Sequence, residues 1–394
     1  MGGRDVPSTA APAHILVADG DPAHRETLAQ ALQQGGHKCV LAGTGAETLA
    51  LARRRAFDLL LLDLRLPDAD GLRLLPALRA RRALPVIALT AQPSVAGALA
   101  ALSCEVCDYL PKPVQLETLL ERISGALCGS GLGHDYVWRS LARQPRFAHV
   151  LSENPATRQV YLTAARVARS RAPVLIGGET GTGKEYLARA LHGLSDRAEA
   201  PFVTLNCGAF PEELLESELF GHEKGAYTSA AGAKPGLCEL AAGGVLFLDE
   251  IGDMSPAMQV KLLRFLDDGS YRRLGGTQER QADVRLLAAT NQDLARARAE
   301  GRFREDLYWR LNVIPLRLPP LRERPEDLAP FSRHFLGQFA RELQRPGLAL
   351  LPAAQARLSE YAWPGNLRQL HNVLWRAALL TGSGSISPEQ VVWE

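Results

Sequence analysis

The stretch Val174-Leu175-Ile176-Gly177-Gly178-Glu179-Thr180-Gly181-Thr182-Gly183-Lys184 constrains this chain more than any other. A short apolar run of strand length opens into a glycine-rich turn, and Glu185 to Leu194 then reads as a helix. From Gly178 the spacing is G-x-x-x-x-G-K, a pattern in which backbone N–H groups curl around phosphates and the following helix adds a positive dipole. Gly178, Glu179, Thr180, Gly181, Thr182, Gly183, Lys184 and Glu185 are therefore candidate nucleotide-binding residues, Lys184 reaching the outer phosphates. A Ser or Thr usually follows that lysine to hold Mg²⁺; Glu185 stands there instead.

Composition narrows the function classes. The 394 residues suffice for two or three domains, and a hydrophobic content of 46% supports real cores. A net charge of +2 gives no overall pull toward nucleic acid or membrane, so any such binding has to be local. Met1 to Pro12 has one Arg and no apolar core, unlike a signal peptide, and reads as a disordered N-terminus over residues 1–12. No uninterrupted apolar run approaches a membrane span, so a cytoplasmic chain with no membrane partner is expected. Of six cysteines only Cys104 and Cys107 are close in sequence; without a second pair for zinc they read as core packing.

Residues 14 to 127 alternate short apolar runs with helix-like stretches. His14–Ala18, Cys39–Leu41, Leu59–Leu62, Val86–Leu89 and Val106–Leu110 read as strands. Pro22–Gln34, Ala46–Arg55, Gly71–Arg81, Ser94–Leu102 and Val114–Leu127 read as helices. Five βα units predict a doubly wound parallel sheet with a site at the carboxyl ends of its strands. Asp19, Asp63, Thr90 and Lys112 fall at those ends and suit phosphoryl transfer. Asp63 would be the acceptor, Thr90 and Lys112 would hold phosphate oxygens, and the acids would hold Mg²⁺.

This region resembles the receiver domain of two-component response regulators, a CheY-like (βα)5 fold. The resemblance rests on Ile15-Leu16-Val17-Ala18-Asp19, on Leu62-Asp63 through Asp70-Gly71, on Leu89-Thr90-Ala91 and on Asp108-Tyr109-Leu110-Pro111-Lys112-Pro113. It implies phosphorylation at Asp63 by a cognate sensor histidine kinase, Asp19 and Asp63 as metal ligands, and Tyr109 as the switch aromatic. Family members usually carry two adjacent acids after the first strand. Here the second position is Gly20, followed by Asp21, so either Asp21 reaches in or the metal is weakly held.

The Gly/Ser-rich stretch from Gly129 to Gly133 marks a boundary, with a linker over residues 129–150 and a helix from Pro155 to Arg169 beyond it. Downstream, Gly244-Val245-Leu246-Phe247-Leu248-Asp249-Glu250 is an apolar strand ending in two acids, expected to lie beside the phosphate loop. Asp249 would take Mg²⁺, directly or through water, and Glu250 would orient and activate the attacking water. A further strand, Val284–Ala289, ends in Thr290-Asn291, which places Asn291 as a sensor of the outer phosphate. Phosphate loop, acidic strand and polar strand end in this order point to an ATPase.

From about Leu151 onward the chain resembles the central AAA+ domain of sigma-54-dependent activators of the NtrC type. The stretches that carry this are Gly178 to Glu185, Phe202 to Cys207, Leu215 to Thr228, Phe247 to Gly252, Phe303 to Arg310 and Trp363 to Arg368. Glu185 after the lysine is usual in that family. The resemblance implies a switch pairing Asn206 with Glu250, fingers Arg304 and Arg310 acting on a neighbouring subunit's ATP, and Arg368 as the sensor in a helical lid. It implies an α/β ATPase subdomain over residues 151–320 and a lid over 321–394, with helices at Pro325–Leu343, Pro352–Tyr361 and Gly365–Thr381. A receiver over residues 13–128 would then control assembly of dimers into hexameric rings.

The loop Gly225-Ala226-Tyr227-Thr228-Ser229-Ala230 corresponds to the family's G-A-F-T-G-A segment, which touches sigma-54 bound to RNA polymerase. Small residues around one exposed aromatic suit a mobile contact point. Tyr227 adds a hydroxyl, and Ser229 replaces a permissive glycine. The family usually ends in a DNA-binding helix-turn-helix; no such helix pair is read before Glu394, so no DNA-binding domain is expected in this chain. Gly20 and Ser229 leave an alternative open: a nucleotide-binding interaction protein with a degenerate receiver that does not activate sigma-54 polymerase.

Overall fold

The computed structural model describes residues 12–80, 84–93, 97, 100, 101, 104, 106–127, 152–227, 232–381 and 384–393. Most of the N-terminal segment, the linker over 129–150, most of the helix expected at Ser94–Leu102, and Thr228, Ser229 and Ala230 lie outside the described residues. The chain divides into two units between Gln144 and Pro145. Among the described residues no helix is long and apolar enough to cross a membrane.

In the first unit, strands β1 (His14–Ala18), β2 (Lys38–Ala42), β3 (Leu59–Asp63), β4 (Val86–Thr90) and β5 (Asp108–Pro111) form one parallel sheet in the order β2-β1-β3-β4-β5. β3 and β4 are near-continuous apolar runs because both of their faces are covered, as a parallel sheet requires. The four leucines of β3 are fully buried, each contributing roughly 1.5–3 kcal/mol. Helix starts follow local capping: Asp21 accepts from the Ala23 and His24 N–H groups, Thr44 from Glu47 and Asp70 from Leu72. Gly71 opens the helix after β3 because a Cβ there would lie 2.4 Å from the Asp63 carbonyl oxygen.

The last strand begins at Asp108, not Val106, and the helix after it spans Leu116–Leu127 where Val114 was the expected start. Val106 is buried without belonging to the ladder, so its apolar character reports the core and not the strand.

The second unit contributes β6 (Val174–Gly177), β7 (Phe202–Asn206), a short antiparallel pair β8 (Gly221–His222) and β9 (Lys234–Pro235), and β10 (Val245–Asp249). A hairpin of β11 (Ser270–Arg272) and β12 (Glu279–Gln281) precedes β13 (Arg285–Thr290) and β14 (Ile314–Arg317). The main sheet is parallel with order β14-β6-β13-β10-β7. The acidic strand β10 is thus not the neighbour of the phosphate-loop strand β6. β13 lies between them, because its apolar run, buried at every position, takes the central place.

The lid packs helices Leu328–Glu342, Pro352–Ser359 and Asn366–Leu380 and a two-stranded pair, β15 (Ala349–Leu350) with β16 (Ser385–Ile386), around Phe331, Phe335, Trp363, Leu370 and Leu374. The helix expected from Pro325 begins as a 3-10 turn over Pro325–Asp327, and Gly365 caps the last helix without belonging to it.

Candidate functional site

The phosphate loop runs from the end of β6 into the helix Lys184–Gly193. Gly178, Gly181 and Gly183 have φ of 152°, 79° and 104°, a region that only glycine enters without strain. Thr182 Oγ1 donates to the Glu179 carbonyl (2.8 Å), closing the turn. Lys184 Nζ reaches back over it and donates to the carbonyls of Gly178 (2.9 Å) and Glu179 (3.2 Å).

Asp249 and Glu250 stand beyond Lys184 in a cavity of about 390 Å³ that is also lined by Thr180, Gly181, Gly183, Glu185, Tyr186, Leu367, Arg368 and His371. Glu250 has φ +55°, an uncommon conformation for a non-glycine residue. Its N–H donates to Asp249 Oδ1 (3.0 Å), leaving Oδ2 without a hydrogen bond among the described residues. Burial holds Lys184 below the usual lysine range against the pull of Asp249 and Glu250, and burial raises Asp249 despite Lys184. A carboxylate oxygen beside a phosphate loop fits Mg²⁺, which proteins hold through one or two carboxylates together with substrate phosphates.

Asn206 pairs in register with Asp249, and its Oδ1 accepts from the Gly208 N–H (2.9 Å). Asn206 Oδ1 and Glu250 Oε2 both border Gly208, but no hydrogen bond joins the two side chains among the described residues. Asn291 Nδ2 donates to Thr180 Oγ1 (2.9 Å), which brings the end of β13 against the loop. Arg304 and Arg310 are not in this cavity. They lie at the two ends of the helix Glu305–Leu311, half-exposed. Arg304 pairs with Asp306 (2.6 Å), and its N–H is fixed by the buried Gln259 (2.8 Å). Arg310 pairs with Asp267 (3.2 Å).

The lid grips the phosphate loop through residues to which the sequence gives no individual role: Asn366 and Leu367 within the Trp363–Arg368 stretch, and Arg322 and Arg324 outside any motif. The Leu367 N–H donates to the Gly181 carbonyl (2.9 Å), and Asn366 Nδ2 donates to Thr180 O (3.0 Å). Asn366 Oδ1 accepts from the Leu321 N–H (2.7 Å), so one buried amide ties the loop to two lid segments. Arg322 makes a two-point pair with Glu179 (2.6 and 2.8 Å), which is the main reason Glu179 sits below the usual carboxylate range. The buried Arg324 donates to Thr182 O (2.6 Å) and faces Asp327 at 3.7 Å. Asp327 accepts from Ser152 Oγ (2.7 Å) and from the N–H groups of Glu153 (2.6 Å) and Asn154 (3.1 Å).

Of the loop expected to touch a partner, Gly225, Ala226 and Tyr227 are described. The Tyr227 ring meets His222 edge-on at 5.1 Å, and Ala226 sits against Gly275 in the β11–β12 hairpin. The hairpin is joined to the base of the loop by Leu274 N–H to Gly221 O (2.8 Å) and Glu223 N–H to Leu274 O (3.0 Å).

In the first unit Asp19, Asp63 and Lys112 converge as expected. Lys112 Nζ is 2.6 Å from Asp19 Oδ2 and 2.6 Å from Asp63 Oδ2. Thr90 ends the strand beside β3, its Oγ1 accepting from the Gln92 N–H (3.1 Å), and the Tyr109 ring is buried. His24, which the sequence does not flag, places Nδ1 2.6 Å from Asp19 Oδ2. Burial pushes Asp19 up, but the hydrogen bonds from His24 and Lys112 outweigh it and hold the carboxyl at about 2. Asp21 does not join the acids; Oδ1 caps the first helix through the N–H groups of Ala23 (2.9 Å) and His24 (3.5 Å).

Comparison with known proteins assigns a domain family to each part of the chain. Residues 15–124 match the response regulator receiver domain, 150–317 the sigma-54 interaction domain and 322–393 the AAA+ ATPase lid domain. The chain is 44% identical over 379 residues to the transcriptional regulatory protein ZraR of Klebsiella oxytoca, covering 96% of this chain and 85% of that protein. It is 44% identical over 370 residues to the DNA-binding transcriptional regulator NtrC of Escherichia coli strain K12, covering 93% and 78%. A solved structure of NtrX from Brucella abortus in complex with ATP aligns with a TM-score of 0.58 at 35% identity, covering 97% of this chain and 84% of that one. With such identity over nearly its whole length, and with three domain families in order, the chain belongs to the NtrC-type response regulators, which join a receiver to a sigma-54-interacting AAA+ ATPase domain.

Proposed function

We propose that phosphorylation at Asp63 controls assembly of this ATPase into rings, and that ATP hydrolysis between neighbouring subunits drives the Tyr227 loop against sigma-54 in RNA polymerase. One observation carries the reading: Lys184, Asp249, Glu250 and Arg368 share one cavity, whereas Arg304 and Arg310 lie outside it on a half-exposed helix. A cavity that holds Arg368 but not the two expected finger arginines, Arg304 and Arg310, suits catalysis completed by a second copy. ATP would be held by the Gly178–Glu185 loop and sensed by Asn291 and Arg368. Glu250 would orient and deprotonate the attacking water, Lys184 would stabilise charge on the outer phosphates, and Mg²⁺ would enter with the nucleotide at Asp249. Asn206, close to Glu250, would report the state of the site to the loop.

Complementation tests the shared site. Glu250→Gln and Arg304→Ala should each be inactive alone. Mixed in equal amounts they should regain part of the wild-type rate, because some interfaces pair an intact Glu250 with an intact Arg304. The rate per subunit of the wild type should rise with protein concentration, and rise further on treatment with a small acyl-phosphate donor except in Asp63→Asn. A rate per subunit independent of concentration, with no recovery on mixing, would mean that each chain carries a complete site.

A further inference from the structure

Mg²⁺ in proteins is held by oxygen ligands in near-octahedral geometry, most of them carboxylates, carbonyls and waters. The receiver pocket offers a poor set. Asp19 is fully buried and both of its oxygens are taken: Oδ1 by the Asp21 N–H (2.9 Å), Oδ2 by His24 Nδ1 (2.6 Å) and Lys112 Nζ (2.6 Å). Asp63 accepts from the Arg65 N–H (2.9 Å) at Oδ1 and from Lys112 (2.6 Å) at Oδ2. Asp21 borders the same cavity, but its Oδ1 is bound to the start of the first helix, which leaves only Oδ2 without a hydrogen bond among the described residues. At Gly20 no carboxylate exists at all. A Cβ there would lie 3.0 Å from Pro67 Cδ and 3.6 Å from the Arg65 carbonyl oxygen, so this is the position from which a third acid would face the rim of the pocket. Among the described residues no three His, Cys, Asp or Glu side chains gather as a metal site.

Charge and donors agree. Asp19 accepts and cannot donate, so His24 Nδ1 carries the hydrogen and the imidazole is spent as a donor. Asp19 and Asp63 face the one ammonium of Lys112, and Asp21 and Arg65 on the rim of the same cavity offset each other, so one net negative charge remains where an acid at position 20 would leave two. A divalent cation therefore gains less here, and to reach Asp19 it has to displace His24 and Lys112 from a buried carboxylate.

We infer that this receiver pocket is closed by its own side chains: His24 and Lys112 occupy Asp19, and the resting chain binds no divalent cation at Asp19 and Asp63. The inference concerns the resting pocket and stands whether or not Asp63 is phosphorylated. If phosphoryl transfer occurs, Lys112 and the His24 N–H are the donors that remain to steady it.

Mn²⁺, followed by electron paramagnetic resonance, tests this in the nucleotide-free full chain, with Asp63→Asn as the control that assigns any binding to the receiver. Wild type is expected to show no binding that Asp63→Asn removes. Gly20→Asp should gain a single site, lost again in Gly20→Asp/Asp63→Asn, and adding His24→Leu to Gly20→Asp should tighten it several-fold by freeing Asp19 Oδ2. Circular dichroism checks that each variant is folded; where the His24 variant is not, Gly20→Asp and its control decide the matter. Wild-type binding that disappears in Asp63→Asn would overturn the inference. A folded Gly20→Asp/His24→Leu that gains no site would overturn it too, since neither the missing carboxylate nor the His24 contact would then be what excludes the cation.

Discussion

Lys112 stands at the end of a parallel strand and Lys184 at the start of the helix that follows one, both opposite carboxylates, but only Lys112 is paired with them. It bridges Asp19 and Asp63 at hydrogen-bond distance, and Asp19 is held at about 2. Among the described residues Lys184 makes no ion pair; it is parked on two backbone carbonyls while Asp249 stands apart, and burial moves the two pKa values toward each other. The receiver pocket has settled its charges internally. The ATPase pocket has kept them separate in a partly dry site, where a phosphate group and its cation find a field already in place and little to displace. Two sites for phosphate chemistry in one chain thus differ in how much of their electrostatic energy is spent before any ligand arrives.

Four experiments break or sharpen that contrast. Glu250→Gln should have the largest effect, lowering ATP turnover by roughly 10²–10⁴-fold while a fluorescent ATP analogue still binds. Equal loss of binding would mean that Glu250 serves the charge balance more than the water. Next comes Gly181→Ala: φ is +79° and the new Cβ would lie 2.4 Å from the Gly365 carbonyl, so loop and lid have to separate. An equilibrium titration should show nucleotide affinity lower by roughly ten- to a hundredfold, and an unchanged affinity would show that the lid's grip is dispensable.

The third concerns acid. Asp19 is lowered by folding, so its contribution is fully present above the unfolded value near 3.8 and drains away as pH falls toward about 2. Amide exchange in His14–Ala18 should therefore rise through that window in the wild type and rise less in Asp19→Asn. Identical pH profiles would show that the internal cluster does not stabilise the sheet. The smallest effect is expected for Arg322→Ala. Its pair with Glu179 is about half-exposed, so KM should increase only about two- to fivefold with kcat little changed. A large fall in kcat would give Arg322 a role in the chemistry and not only in holding the loop.

How much of this could be read beforehand varies with how local the signal is. Gly178 to Lys184 is legible because one turn needs its glycines wherever it occurs, and β1, β3 and β4 are legible because a sheet covered on both faces demands unbroken apolar runs. The place of β13 between β6 and β10 was not legible, since strand order is set by packing and leaves no mark within any one strand. Asn366, Arg322 and Arg324 act across more than a hundred residues of sequence, and their types are ordinary for a loop. Asp327 is in sequence an ordinary acid near a helix start; that it is fully buried follows only from the lid closing over it. His24 sits one turn into a helix where a polar residue is unremarkable, and nothing in the sequence marks it as a partner of Asp19.

The anchorage at Asp327 also has a mechanical side. Ser152, Glu153 and Asn154 are the first described residues of the ATPase unit, and all three are fastened to that one carboxylate. Tension arriving along the backbone from the N-terminal direction has to shear this rivet before it can peel the helix at Pro155–Val167. The load passes through Arg324 to the Thr182 carbonyl, within the turn that cradles phosphate. A tug on the chain is thereby delivered to the nucleotide's seat before it disturbs the body of the fold.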